Sequence, residues 1–537
     1  MFLLLAGFSA CNKPVSLPSN VSGDGQGISG VLPPKIDSVE PPVDTGRRGM
    51  IMTINGSNFE NGASVIMAGV VCNSVGGNNS QITCKLEGDV EGPGKVIVQN
   101  PSGQSGEFIP PPPPPSGNNG WNGTGTPTWA FVDNSALHVA SPDRAQQGSL
   151  VSFNSKLYSM WVESGKLHAS VYNGNDSAPS WALVEPAGAG GINFNLGFSA
   201  ATPQLIGFDS KLYAIWVEGT PQGDQMRVAV YNGNDAAPSW KFVDGNAANG
   251  LILPGTGNVQ SFPRLTVFDN RLFGAFWEQT GSGPLIHLML YNGIDDNPKW
   301  GLMDGVGTKK LGYNLWNRGG RKPFIQGFNS KLYMVWEVPN GSTAILRIAA
   351  WDPNDINTWN YVDGANPNNS TAPGLSRAFS GLSENPALAM VSGKLFVTWT
   401  ENYGSIAPSP AQVFVRMYTP ELNNSPWSLI DGNNGLGINA NATQVARNAR
   451  LAAFGDKLIA IWSENSGGSP QVERIHVSMK STFDNSAWTR LDTSGLNSDP
   501  LLSGKGPLVS VSNQKLYCLW REEDASSAGS LKLSVAK

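Results

Sequence analysis

Seven carboxylates recur at one place in a repeated phrase: Glu163, Glu218, Glu278, Glu337, Glu401, Glu464 and Glu522. Each closes a run of the form Lys-Leu-aromatic-x-x-Trp, and the runs begin at Lys156, Lys211, Arg271, Lys331, Lys394, Lys457 and Lys515. A basic or imidazole side chain follows in four copies, as His168, Arg227, His287 and Arg347, and sits farther along in later ones as Arg416 and Arg474. A carboxylate facing such a group offers two chemistries. One is an ion pair between neighbouring strands, worth about 0–1 kcal/mol when exposed. The other is a polar pocket that grips hydroxyl groups beside a Trp. A third repeated position is the Asn of Gly-[Ile/Tyr/Leu]-Asn, at Asn193, Asn314, Asn439 and Asn497, with His138 and Ser376 in matching places. An Asn there either caps a loop turn through its side chain or touches a ligand. The glutamates other than Glu337, with Arg227, Arg347, Asn193, Asn314 and Asn439, form the candidate ligand-binding set.

Catalysis finds little footing in the same residues. The four histidines, His138, His168, His287 and His476, form no pattern with a nucleophile. Glycoside hydrolysis needs two carboxylates flanking one cleft, whereas these recur equivalently in every copy, as a structural or multivalent group would. No phosphate loop, dinucleotide fingerprint or EF-hand appears, and no Cys/His cluster has zinc spacing. No catalytic residue, metal or cofactor is expected. The net charge of −5 with no basic run excludes a general nucleic-acid surface, which needs clustered Lys and Arg. No apolar stretch is long enough to span a membrane as a helix.

The elements that must position these groups follow from the period. Steps of 55 to 63 residues between copies mark supersecondary units that bury their apolar faces against one another. Each unit divides into four strand words, here a to d. Strand a carries Pro-x-Leu-x-x-Phe, as at Pro203. Strand b is the phrase itself, and strand c reads like Arg227-Val228-Ala229-Val230-Tyr231. Strand d starts at a Trp, as in Trp240-Lys241-Phe242-Val243-Asp244. Seven such units predict a closed seven-bladed β-propeller over 126–537. The d-type Trp recurs at Trp129, Trp181, Trp240, Trp300, Trp359, Trp427 and Trp488, yet Trp129 precedes the first strand a and the last unit stops after strand c. The segment around Trp129 must therefore complete the last blade and close the ring, which removes exposed edges. Short a–b and c–d turns share one rim. Long, variable b–c and d–a loops share the other, where binding residues concentrate.

The c–d words place Asp176, Asp235 and Asp295 five residues before a Trp. This spacing resembles the Asp-box of sialidase-like propellers, in which the box is a structural turn. It lacks the usual Ser and Gly. The alternation of Trp, Glu and Arg resembles fucose-binding propeller lectins, which implies sugar-binding pockets between blades.

Residues 33–109 precede the ring. Strand-like runs such as Met50-Ile51-Met52-Thr53-Ile54 and Lys95-Val96-Ile97-Val98 alternate with close turns, predicting a small Ig-like β-sandwich. The words Pro34-Lys35-Ile36-Asp37-Ser38-Val39-Glu40-Pro41, Ile54-Asn55-Gly56-Ser57-Asn58-Phe59 and Val96-Ile97-Val98-Gln99-Asn100-Pro101-Ser102-Gly103 resemble the IPT/TIG family, whose modules act as spacers in bacterial envelope proteins. Pro110 to Pro115 and the Gly/Asn residues after them, 110–125, read as a linker. Cys72 and Cys84 lie 12 apart on two strand runs joined by Gly76-Gly77-Asn78-Asn79, and an exported protein would link them in a cross-hairpin disulfide. Cys518 reads as a small core residue. The apolar start, 1–11, ends in Ser9-Ala10-Cys11 and resembles the tail of a bacterial lipoprotein signal, which implies a lipid on Cys11 and a flexible tether over 12–32.

The expectation is an all-β protein of the outer membrane or cell surface, lipid-anchored. Its long-loop rim binds a glycan or an envelope protein without catalysis. A sialidase-like hydrolase or lyase and a structural member of a surface assembly are the alternatives.

Overall fold

The computed structural model of the 537-residue chain describes residues 33–40, 51–67, 69–88, 95–102, 105–108, 120–133, 137, 145–188, 190–220, 223–245, 250–251, 258–259, 262–281, 283–304, 319–364, 374–377, 381–402, 410–420, 426–432, 437–469, 471–526 and 529–537. Cys11, the tether, the proline run, His138 and Asn314 lie outside the described residues. The chain divides into two compact units, 1–118 and 119–537.

The first unit is all strand: Lys35–Glu40, Ile51–Ser57, Ser64–Met67, Val70–Asn78, Gln81–Leu86, Val96–Gln99 and Ser105–Phe108. Their order in the sheet is first, second, fifth, fourth, third, sixth, seventh. The outer members approach each other, so the sheet rolls into an Ig-like body. That approach requires a glycine: a Cβ on Gly106 would stand 1.7 Å from the Pro34 carbonyl oxygen. Alternation puts Met52, Ile54, Val65, Met67, Ile82, Val96 and Val98 into one core, the period-2 pattern expected of half-buried strands. Cys72 and Cys84 form a disulfide across adjacent strands, Cα atoms 5.4 Å apart.

The second unit is the propeller. Blade 1 is Ala145–Phe153, Lys156–Glu163, Lys166–Tyr172 and Trp181–Leu183, and blade 2 is Ala200–Phe208, Lys211–Glu218, Gln225–Tyr231 and Trp240–Phe242. Blade 3 is Arg264–Phe268, Arg271–Thr280, Gly283–Tyr291 and Trp300–Leu302, and blade 4 is Arg321–Phe328, Lys331–Asn340, Thr343–Asp352 and Asp355–Tyr361. Blade 5 is Leu382–Val391, Lys394–Asn402, Gln412–Tyr418 and Trp427–Leu429, and blade 6 is Ala446–Phe454, Lys457–Asn465, Glu473–Lys480 and Thr489–Arg490. Blade 7 has Ser503–Ser512, Lys515–Glu523 and Gly529–Ala536, and its fourth strand is Trp129–Phe131. The closing register is Ser534↔Phe131, Val535↔Ala130 and Ala536↔Trp129, extended by two backbone bonds between Thr128 and Lys537 (2.8 and 3.0 Å). Each strand a touches the next around the ring, including that of blade 7 against that of blade 1.

Strand b is apolar on both faces because both are covered by neighbouring blades. In Lys211–Glu218 only Lys211 is exposed. Trp161, Trp216, Trp336, Trp399, Trp462 and Trp520 are each at most 1% exposed. Blade 3 departs from the phrase: Phe276 takes the Trp place opposite His287, as Trp216 stands opposite Arg227. The a–b turns place Asn154-Ser155, Asp209-Ser210 and Asp269-Asn270 at φ of 48 to 59°, the paired positive values of tight type I′ hairpins.

A second link runs around the outside. The strand-d indole of every blade donates to a carbonyl at the end of the preceding blade's strand d: Trp181 to Val132, Trp240 to Val184, Trp300 to Val243, Trp359 to Met303, Trp427 to Val362, Trp488 to Ile430 and Trp129 to Leu491, at 2.7–3.3 Å. The closing segment therefore supplies two of these seven links. The propeller also begins earlier than the linker reading placed it. Trp121 is 6% exposed, stacks on Phe454 of blade 6 at 5.3 Å, and donates its backbone N–H to the Ala536 carbonyl.

Candidate functional site

On the short-turn rim, the lysine and tyrosine of the phrase reach into the next blade. Lys515 and Tyr517 of blade 7 meet Asp176 of blade 1 at 2.5 and 3.5 Å. Lys156 and Tyr158 of blade 1 meet Asp235 of blade 2 at 2.6 and 3.3 Å. Lys211 and Tyr213 of blade 2 meet Asp295 of blade 3 at 2.7 and 3.0 Å. Each Asp also accepts from the Tyr ending its own strand c, Tyr172, Tyr231 or Tyr291, at 2.8–3.0 Å. Burial, then Asp235, pushes the Tyr158 phenol up to about 12. Burial raises the Asp295 carboxyl, but hydrogen bonds from Lys211, Tyr291 and Tyr213 outweigh it and hold the group below its usual value. These aspartates lock blades together. The sequence placed them at a turn, and their interblade partners become visible only in the register.

On the long-loop rim, the repeated glutamates point inward. Glu218, Glu401 and Glu522 are 0% exposed, Glu464 1%, Glu163 3% and Glu278 4%. The indole two residues earlier donates to Glu163, Glu218, Glu401, Glu464 and Glu522 at 2.8–3.1 Å. Backbone N–H groups of the incoming d–a loop take the remaining lone pairs. Phe194 and Asn195 bond Glu218, Arg377 bonds Glu401, Ala440 and Asn441 bond Glu464, and Ser498 bonds Glu522. Glu337, one place earlier in its phrase, turns to the other face and meets Arg321 (2.8 Å), Lys322 (3.1 Å) and the N–H of Asn385 (2.8 Å).

The asparagines complete this staple. Asn193 Oδ1 accepts from the N–H of Leu167, while its Nδ2 donates to the Gly165 and Phe198 carbonyls. Asn439 does the same with Val413, Ala411 and Gln444, and Asn497 with Ile475, Glu473 and Leu502. Ser376 takes the Oδ1 role toward Leu346. The loop between blades is thus tied to the preceding blade by its Asn and to the following blade by the buried Glu.

The basic groups of strand c find partners the sequence reading missed. Arg227 pairs with Asp244 (3.2 Å, both side chains 1% exposed), not with Glu218. Arg347 pairs with Asp363, His168 with Glu185 (3.0 Å), His476 with Asp492 (2.9 Å) and Lys532 with Asp133 (3.4 Å). His287 lies between Asp304 (2.8 Å) and Glu278 (3.1 Å). Burial lowers its basicity, but the two carboxylates outweigh burial and raise it. The signal was in the strand-d words, where Val-Asp follows Trp by three residues. Glu163, Glu218, Glu278, Glu401, Glu464, Glu522, Arg227, Arg347 and Asn439 therefore bond the chain's own groups, as does Asn193, which also lines a rim cavity.

What faces solvent on this rim differs from blade to blade. Three d–a loops share one frame, in which Asn195, Asn441 and Asp499 each accept from the N–H two residues on. The side chains on that frame are Phe194 and Leu196 in the first (40% and 42% exposed), Ala440 and Ala442 in the second, and Ser498 and Pro500 in the third. Phe194 and Leu196, with Pro186, Trp240 and Phe242, line a cavity of about 460 Å³. A second rim cavity, about 260 Å³ between blades 5 and 6, is lined by Glu384, Asn385, Asn402, Arg447 and Asn448. A third, about 280 Å³, lies on the short-turn rim beside Tyr172, Trp181 and Asp235. Among the described residues no His/Cys/Asp/Glu cluster could hold a metal ion, and no helix is long and apolar enough to cross a membrane.

Residues 34–109 match the model of the IPT/TIG domain, the family that segment's words resemble. No curated protein matches the chain. Among solved structures, the chain is similar to the GH93 alpha-L-arabinofuranosidase of Fusarium graminearum with arabinobiose, at 12% identity and a TM-score of 0.40 over 77% of this chain and 97% of that one. It is similar to the alpha-L-arabinanase of Penicillium chrysogenum at 12% identity and 0.40, over 77% and 98%. The Trypanosoma rangeli sialidase with the inhibitor DANA gives 13% and 0.42, over 76% and 60%. Likeness at this level carries no argument about activity. The propeller assignment rests on strand order and closure.

Proposed function

We propose that this chain is a non-catalytic binding protein of the bacterial envelope, exported and lipid-anchored through Cys11, whose propeller binds a glycan on its long-loop rim. The observation that carries this reading is the cavity between blades 5 and 6. It brings Glu384, Arg447, Asn385, Asn402 and Asn448 to one place, a set of charged and amide groups suited to several sugar hydroxyls at once. Among the described residues that cavity holds one carboxylate, whereas glycoside hydrolysis uses two. The test is a glycan array probed with the full chain and with the Glu384→Gln, Arg447→Ala variant. Sugar binding lost in the variant supports the reading, and an array without binding overturns it. A second reading, a protein partner, is favoured by one specific observation: the exposed Phe194 and Leu196 beside the apolar cavity of blades 1 and 2, a patch of the kind that marks protein contacts. Binding of an envelope protein that Leu196→Ser abolishes and Arg447→Ala leaves intact would establish it.

A further inference from the structure

The seven inner strands, in a chain of net charge −5, carry six basic residues and one acid. Most of the charge is accounted for. Arg321 and Lys322 meet Glu337, Lys505 meets Glu523, and Arg447 lines the blade 5–6 cavity with the one acid, Glu384. Arg264 and Arg450 are not. Neither has a carboxylate partner among the described residues.

The two arginines occupy one position of the fold. Each follows a positive-φ residue by two positions, Phe262 (69°) just ahead of the blade 3 strand and Asn448 (55°) in the bulge of the blade 6 strand. They belong to blades 3 and 6, three steps apart in a ring of seven, so they approach the axis from opposite sides. Both keep partial exposure while protein surrounds them. The Arg264 guanidinium lies 5.5 Å from the centre of the Phe324 ring, and its Nε is buried with no acceptor. Arg450 donates Nη1 to its own Ala449 carbonyl at 2.8 Å. A guanidinium has five donors, so among the described residues one carbonyl acceptor serves the two groups. Burial, then the charge of Arg450, lowers Arg264 to about 9, and burial lowers Arg450 to about 10. Two like charges confined together without a counter-charge are costly.

We propose that the propeller axis between Arg264 and Arg450 is an oxyanion site, taking a phosphate, sulfate or carboxylate group into the forks of the two guanidiniums. Planar forks match such groups through paired, charge-assisted hydrogen bonds. The group is either a free inorganic anion or the charged end of a sugar acid.

The test is calorimetric titration of the full chain with inorganic phosphate, acetate and glucuronate at ionic strength fixed by chloride, with melting of the same samples. Saturable binding at a stoichiometry of one, weakened at least about tenfold by Arg264→Gln or Arg450→Gln, supports the site. In chloride alone each variant should melt above the parent, because one of two repelling charges is gone, and that gain should disappear in phosphate. Arg264→Lys keeps the charge and loses the fork, so it should bind more weakly than the parent without melting higher. Glucuronate about tenfold tighter than acetate would mark the charged end of a sugar as the occupant, and equal affinity a free anion. No saturable binding of any of the three, or equal binding by the Arg264→Gln, Arg450→Gln double variant, overturns the proposal.

Discussion

Blades 7, 1, 2 and 3 meet through rings with a charged cluster added, and blades 3, 4, 5 and 6 through rings alone at the same places among the described residues. In the first group a Lys and a Tyr of one blade converge on an Asp of the next, at Asp176, Asp235 and Asp295. In the second group the same places hold Phe273 against Trp351 (5.9 Å), Tyr333 against Tyr418 (5.6 Å) and Phe396 against Phe483 (4.9 Å). One backbone frame therefore tolerates two junction chemistries. The difference lies in what each junction demands. A charged junction needs every donor present, because a lost partner strands a buried group. An aromatic junction loses only the contact removed.

Deleting 127–134 is the largest available insult to this scheme. It removes the closing strand, two indole links and the Lys532–Asp133 pair, and it should abolish a single cooperative melt. Next comes the core common to both groups. Trp216→Ala and Trp399→Ala should each cost about 3–5 kcal/mol in urea unfolding, with similar values expected because both indoles also satisfy a buried Glu. The junctions themselves should then separate. Asp235→Ala strands the hydroxyls of the buried Tyr158 and Tyr231 and should cost about 1–3 kcal/mol, whereas Tyr333→Phe, which keeps the ring contact, should cost less than about 1 kcal/mol. Equal costs would erase the distinction.

The smallest effect is on pH. The Asp295 carboxyl is held below its usual 3.8, so its contribution is complete above that value and is lost as pH falls through the lower folded value. The Tyr158 phenol is raised from 10.0 to about 12, so its contribution is complete below pH 10 and is lost as pH rises toward 12. Urea midpoints should fall at both extremes, and Asp295→Asn should flatten the acid limb alone. His287, raised above 6.5 by Asp304 and Glu278, contributes fully below 6.5 and loses that contribution as pH rises. His287→Gln should therefore cost more at pH 6 than at pH 9.

The repeat, the strand words and the closure by Trp129 were legible because a Trp at fixed spacing is both the core residue and the register mark. The partners of Arg227 and Arg347 were not. Sequence proximity favoured the glutamates across the b–c turn, while the ladder sets Arg227 opposite Trp216 and within reach of Asp244, beyond strand d. The glutamates looked like a ligand ring for the same reason. Their true acceptor role depends on loop N–H groups such as those of Phe194 and Asn195, and backbone leaves no trace in residue type. Arg264 and Arg450 were invisible because only ring geometry brings blades 3 and 6 face to face. The cavity residues Glu384 and Arg447 sit outside the repeated positions, so periodicity passed over them.

Trp121 gives the seam a mechanical meaning. Any pull carried along the chain from the first unit reaches the propeller through this residue before it reaches Thr128 and the three-residue closing strand. The indole sits against Phe454, and its backbone is bonded to Ala536. It takes the load ahead of the strand whose peeling would open the ring, as the clamp on a cable spares the solder joint behind it.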